Sequence, residues 1–171
     1  MVKIDFDKYE ALLSWHSIYW GIEKDILSPE SAILYAEKII ELNPEIDAPE
    51  IIALLISENA EKDVILSLIK AIISNTPKLK NSEESDIRLL RYILLSELKE
   101  NAQDSQSLLA EIENIYADFD YPTDMESFIA YMPPSDSYNA SEHSEEENIQ
   151  HLIYNFKSFM SNEKQQLKIS I

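Results

Sequence analysis

The sequence predicts an all-α fold, a single domain built as a bundle of about seven to eight helices. Three observations carry this. Apolar residues recur at spacings of three and four rather than two. The segments that carry them mostly exceed ten residues, longer than strands usually run. Nearly every segment is preceded by a helix start signal of Asp, Ser or Pro-Glu. The many isoleucines favour strands by propensity, but the period overrides them. Short polar connections suggest antiparallel neighbours in a bundle. A short helical solenoid is the second architecture, weakened by the absence of a fixed-period repeat. The length of 171 residues fits one domain.

Asp5 and Asp7 can cap a first helix over about 6–20, with Phe6, Tyr9, Leu12, Leu13 and Tyr19 on its apolar face and Gly21 at its stop. Ser28-Pro29-Glu30 starts a second helix, with Ala32, Ile33, Tyr35, Ala36, Ile39 and Ile40 inward, ended by Asn43-Pro44. Asp47-Ala48-Pro49-Glu50 starts a short helix through Ile51 to Leu55. Asp63 opens the next, which Asn75 and Pro77 close. Ser82 and Ser85 precede a longer helix over about 83–100, and Ser105 caps one running to Tyr116. Pro122 then blocks continuation. A short helix over about 124–131 ends at Pro133-Pro134. Residues 135–143 read as a mobile loop. Ser144 starts a last helix, with Ile149, Leu152, Ile153, Phe156, Phe159 and Met160 at i, i+3, i+4, i+7 spacing, and the tail from 162 is expected to fray.

Composition removes much of the functional map. Glycine occurs once, at Gly21, so no glycine-rich phosphate cradle and no nucleophile elbow can be built. Cysteine is absent, which excludes disulfides, thiolate metal sites and a Cys nucleophile. Such a chain suits a reducing cytoplasm. No apolar run of membrane-spanning length is present, and Met1-Val2-Lys3-Ile4-Asp5 holds no apolar signal core. The net charge of −18 argues against direct contact with nucleic acid or an anionic membrane, and favours a cationic protein partner.

The acid is unevenly spread. Residues 100–156 hold 13 Asp and Glu and no Lys or Arg. Acidic helices usually intersperse lysines as i, i+4 partners. Unrelieved like charge costs stability, whereas a basic partner would turn the same field into fast, selective association. A merely solvated face is the bland alternative. Tyr116, Phe119, Tyr121, Phe128, Tyr131 and Tyr138 lie in the same window, and carboxylates beside tyrosines suit Arg and Lys. Phe119 and Phe128 are expected in the core.

Chemistry finds little purchase. His16, His143 and His151 form no metal pattern, and the Glu147/His151 pair at i, i+4 stands alone. Asp118, Asp120 and Asp124 lack the central glycine and terminal Glu of a calcium loop. No catalytic residue, metal or cofactor is expected.

Two stretches carry a resemblance. One is Trp15-His16-Ser17-Ile18-Tyr19-Trp20-Gly21-Ile22, followed by Leu27-Ser28-Pro29. The other is Ile115-Tyr116-Ala117-Asp118-Phe119-Asp120-Tyr121-Pro122, followed by Met125-Glu126-Ser127-Phe128-Ile129 and Tyr131-Met132-Pro133. Together they resemble a family of small bacterial proteins catalogued as a domain of unknown function, similar to immunity proteins of bacterial toxin systems. The resemblance implies a protein that binds and neutralises a cognate toxin domain, often a basic nuclease.

The leading expectation is therefore a cytoplasmic, non-enzymatic immunity protein, monomeric, bound to one basic toxin domain. Expected contacts are Asp118, Asp120, Tyr121, Asp124, Glu126 and Tyr131, with Glu142, Glu145, Glu146 and Glu147 secondary. Reversing Asp120 and Asp124 to lysine is expected to weaken that binding by orders of magnitude. The rivals are an acidic scaffold for another basic protein, a carboxylate-based metal enzyme, and a nucleic-acid mimic.

Overall fold

The computed structural model describes residues 4–57, 59–76, 83–134 and 136–169. Among these the chain is all-helical, without a strand. Eight α-helices follow one another: α1 Phe6–Tyr9, α2 Trp15–Glu23, α3 Glu30–Leu42, α4 Pro49–Leu55, α5 Lys62–Asn75, α6 Glu83–Asn101, α7 Ser105–Asp118 and α8 Glu145–Gln166. Short 3-10 turns occupy Glu10–Leu12, Thr123–Phe128 and Ala140–Glu142. The helices form two compact units, Met1–Leu90 and Arg91–Ile171. Pro77, Ser82, Ser135 and the last two residues of the expected tail lie outside the described residues.

In the first unit α2 packs on α3 and α5, α5 on α4, and α4 on α3. Ile18, Ile22, Ala32, Ala36, Leu54, Ile65 and Ile69 fill the centre. Trp15 is buried and meets Tyr35 edge to face at 4.8 Å, while Tyr19 and Trp20 are half-buried. The Tyr35 hydroxyl donates to the Leu13 carbonyl, and burial raises its pKa, reinforced by Asp86 and Glu10.

The single helix expected over 6–20 is broken. Leu13 is extended, and the Ser14 hydroxyl accepts from the Ser17 N–H, restarting the chain as α2. A serine cap satisfies a free helix-end donor, so this local bond outweighs the continuous apolar period. Nor does Gly21 stop the helix. α2 runs on to Glu23, and the left-handed residue is Asp25, at φ 58°. Gly21 is instead needed for close packing: a Cβ there would sit 2.7 Å from Leu27 Cδ1.

The second unit comprises the rest of α6, α7, the Thr123–Phe128 turn and α8, with α8 packed on that turn and on α7. Phe128, Phe156, Met125 and Ile112 are among its innermost side chains, and Phe119 is buried as expected. Asp104, not Ser105, caps α7, accepting from the Ser107 N–H at 2.8 Å. The helix expected over 124–131 is a 3-10 turn that ends at Phe128. Ser144 and Glu147 cap α8 reciprocally. Residues 162–166, expected to fray, continue α8, and Glu163 is buried.

Three helices end alike. After α2, α7 and α8 a residue in the left-handed region closes a paired set of bonds back into the last turn: Asp25, Asp120 and Lys168. Glycine usually takes this place. A chain with one glycine assigns it to Asp, the next most tolerant type, and once to Lys.

Candidate functional site

The end of α7 explains much of the Tyr-Ala-Asp-Phe-Asp-Tyr-Pro motif. The Asp120 N–H donates to the Ala117 carbonyl at 3.1 Å, and the Tyr121 N–H to the Tyr116 carbonyl at 2.9 Å. Asp120 and Tyr121 are both left-handed, at φ 59° and 57°. For tyrosine that conformation is strained. The reversal folds the Tyr121 ring onto Tyr116, edge to face at 5.3 Å, and the Tyr131 ring stands at 6.4 Å from Tyr116, tilted. Tyr116 is 2% exposed, whereas Tyr121 and Tyr131 are each 60% exposed.

Carboxylates lie near this trio. Burial raises the Tyr116 pKa, and Glu126 adds to it, as do the neighbouring phenols. Partial desolvation likewise raises Tyr131, and Glu113 and Tyr121 contribute. A C-terminal helix end adds its own negative partial charge. The cluster offers oxygen acceptors and exposed ring faces, and 100–156 holds no Lys or Arg. A guanidinium or ammonium from another molecule matches both features.

The predicted contacts divide. Asp118 ends α7, Asp120 and Tyr121 form its reversal, and Tyr131 and Glu126 complete the cluster. Asp124 is engaged within the protein: its carboxylate pairs with the guanidinium of Arg91. Arg91 is buried, lies over the Phe159 ring at 5.6 Å, and its Nε finds no acceptor among the described residues. Reversing Asp124 to lysine would therefore disturb the fold as well as any interface.

The four remaining glutamates sit elsewhere. Glu142 accepts from Asn139 Nδ2 at 2.7 Å. Glu145, Glu146 and Glu147 form the first turn of α8. Glu147 is committed to the Ser144 backbone and hydroxyl, bonds that hold its carboxyl below the usual range. It is 3.9 Å from His143, and His151 pairs with Asp136 at 3.0 Å, so Glu147 and His151 serve different partners. Among the described residues no group of three or more His, Asp or Glu could hold a metal ion. No helix among them is long and apolar enough to cross a membrane.

One feature escapes sequence reading. Between α7 and α8 lies a cleft of about 440 Å³, with Leu109, Ile129, Met132, Ile149 and Leu152 among its apolar lining. Glu113, Glu126, Asp136 and Glu145 stand in its walls. The segment that forms one wall is fastened by Tyr138, whose ring is stacked between His143 at 4.6 Å and His151 at 3.8 Å. Its hydroxyl donates to Asn148 Oδ1 at 2.8 Å, and Asn148 Nδ2 donates to the Ala140 carbonyl. The sequence carries no separate signal for it, since the α8 stripe has the ordinary width of a core-facing helix. Ile149, Leu152 and Ile153 remain half-buried.

The sequence profile of a bacterial family, described as an uncharacterized protein conserved in bacteria (DUF2247), matches residues 4–164. The chain belongs to this family. No curated protein and no solved structure matches it. The matched span includes both stretches on which the sequence resemblance rests and the whole tyrosine–carboxylate cluster.

Proposed function

We propose that this protein is a binding protein for a basic protein partner, received on the acidic, tyrosine-bearing face of its second unit. More narrowly, we propose an immunity protein that neutralises a cognate toxin domain in the cytoplasm, one to one and without catalysis. The observation that carries the reading is the pair of exposed tyrosines, Tyr121 and Tyr131, set among Asp118, Asp120, Glu113 and Glu126 in a stretch with no Lys or Arg. A toxin that holds phosphate is itself basic. Its long-range attraction would raise the association rate, and tyrosine contacts would slow release. The immunity reading adds to this the resemblance of the two sequence stretches to immunity proteins.

The test pairs the purified chain with the toxin-like product encoded next to it. Affinity is measured by calorimetry at low and moderate salt for the wild type, Asp120→Lys and Tyr121→Ala. The expected result is binding retained at moderate salt and weakened at least about a hundredfold by Asp120→Lys, with the helical signal unchanged. Failure of the wild type to bind or inhibit any neighbouring basic product would overturn the reading.

A further inference from the structure

We infer that the α7–α8 cleft is a groove for a basic amphipathic helix of the partner, which inserts apolar side chains and lays Lys and Arg along the rim. This rests on the reading that the second unit receives a basic protein, and it names how.

Three observations support the assignment. The floor is apolar, and part of it is incompletely covered: Leu109 and Ile129 are buried, whereas Ile149 and Leu152 of α8 are half-buried. The lining on α8 extends from Glu145 to Asn155, a run of about 15 Å at the helical rise. That length matches i, i+3/i+4, i+7 anchors of a docked helix, the usual pattern for this mode. Finally, the walls carry Glu113, Glu126, Asp136 and Glu145, while neither α7, nor residues 119–144, nor α8 up to Phe156 supplies a Lys or Arg. Charge complementarity thus selects a cationic occupant, and the apolar floor selects one that also presents aliphatic side chains. Asp136 already faces His151 at 3.0 Å, but a neutral apolar ligand would leave Glu113, Glu126 and Glu145 without an opposite charge, and a purely basic segment would leave the floor uncovered.

The probe is a 15-residue labelled peptide with a leucine stripe at helical spacing and Lys or Arg elsewhere. It is compared with a scrambled peptide of the same composition and with a version carrying Glu in place of Lys and Arg. Anisotropy titrations at moderate salt are run on the wild type, Ile149→Lys and Glu145→Lys. Methyl shifts of Leu109, Ile129, Ile149 and Leu152 are followed by NMR on the wild type, which needs no variant to fold. The striped basic peptide is expected to bind at least about tenfold more tightly than the scrambled one. The acidic version is expected not to bind, the four methyls to shift, and Ile149→Lys to weaken binding about tenfold or more. Equal binding of striped and scrambled peptides, or unmoved methyls, would overturn the groove.

The two failures are separable. If the neighbouring toxin domain binds Ile149→Lys as tightly as wild type but not Asp120→Lys, the groove falls and the proposed function stands. If the striped peptide occupies the groove but no toxin domain binds, the reverse holds.

Discussion

Replacing Asp124 by alanine leaves the Arg91 guanidinium without its carboxylate. The side chain of Arg91 is 5% exposed, and that of Asp124 is 43% exposed. Removing one partner of a fully buried pair costs about 3–5 kcal/mol, because the other charge is stranded. Here water can reach the vacated carboxylate position, so the expected loss is smaller, about 2–3 kcal/mol. If the second unit melts by itself, that corresponds to a fall of about 10–20 °C in Tm; if the whole chain melts together, about 5–10 °C. Arg91→Met keeps an unbranched apolar chain over Phe159 and removes the buried charge, at a cost of about 1 kcal/mol. The double variant should then be more stable than Asp124→Ala alone, with a coupling of about 1–2 kcal/mol. Urea titration followed by far-UV circular dichroism measures all four proteins. Fluorescence serves as an internal control, since Trp15 and Trp20 are the two tryptophans and both lie in the first unit. A loss below about 0.5 kcal/mol for Asp124→Ala, or strictly additive variants, would refute the idea that this pair holds the second unit.

Asp120→Gly should raise stability by about 0.5–1 kcal/mol, because glycine adopts the left-handed position without strain. In the same variant toxin binding should weaken; a gain in stability with unchanged affinity would make Asp120 purely a turn residue. Gly21→Ala should destabilise the first unit by about 1 kcal/mol in a thermal melt. The helix propensity gained is outweighed by a methyl at 2.7 Å from Leu27 Cδ1 and 2.9 Å from its Cγ. Tyr116 and Tyr131 should titrate above the ordinary 10.0 when absorbance is followed at alkaline pH. Since their folded pKa values are raised, the stability they contribute is complete below 10.0 and is lost as pH rises through the folded values. Glu126→Gln should move the Tyr116 titration downward, and an unmoved curve would remove Glu126 from the cluster.

The helices were legible because each carries its own period and start signal. α3 and α6 begin and end close to where spacing and proline put them, and α8 begins where Ser144 puts it but runs on to Gln166. Errors fell where one local bond competes with the period. Ser14 splits the first helix through its hydroxyl, and Asp104 outranks Ser105 because its carboxylate reaches the Ser107 N–H. Asp25 ends α2 where Gly21 seemed the natural choice, since only tertiary contact reveals that Leu27 occupies the space above the glycine.

The site divides in the same way. The sequence by itself determined that 100–156 is acidic, lacks Lys and Arg and is rich in tyrosine, because charge and residue type need no fold to be counted. Only the tertiary structure decided what each group does. It turned Asp124 inward to a buried Arg91, gathered Tyr116, Tyr121 and Tyr131 about one helix end, and left a cleft between α7 and α8. Arg91 interrupts the apolar run Leu89-Leu90-Arg91-Tyr92-Ile93 and was the one available hint of a buried ion. Periodicity assigns a side chain to a face, but whether that face meets a carboxylate, a ring or empty space depends on which distant segment the chain brings to it.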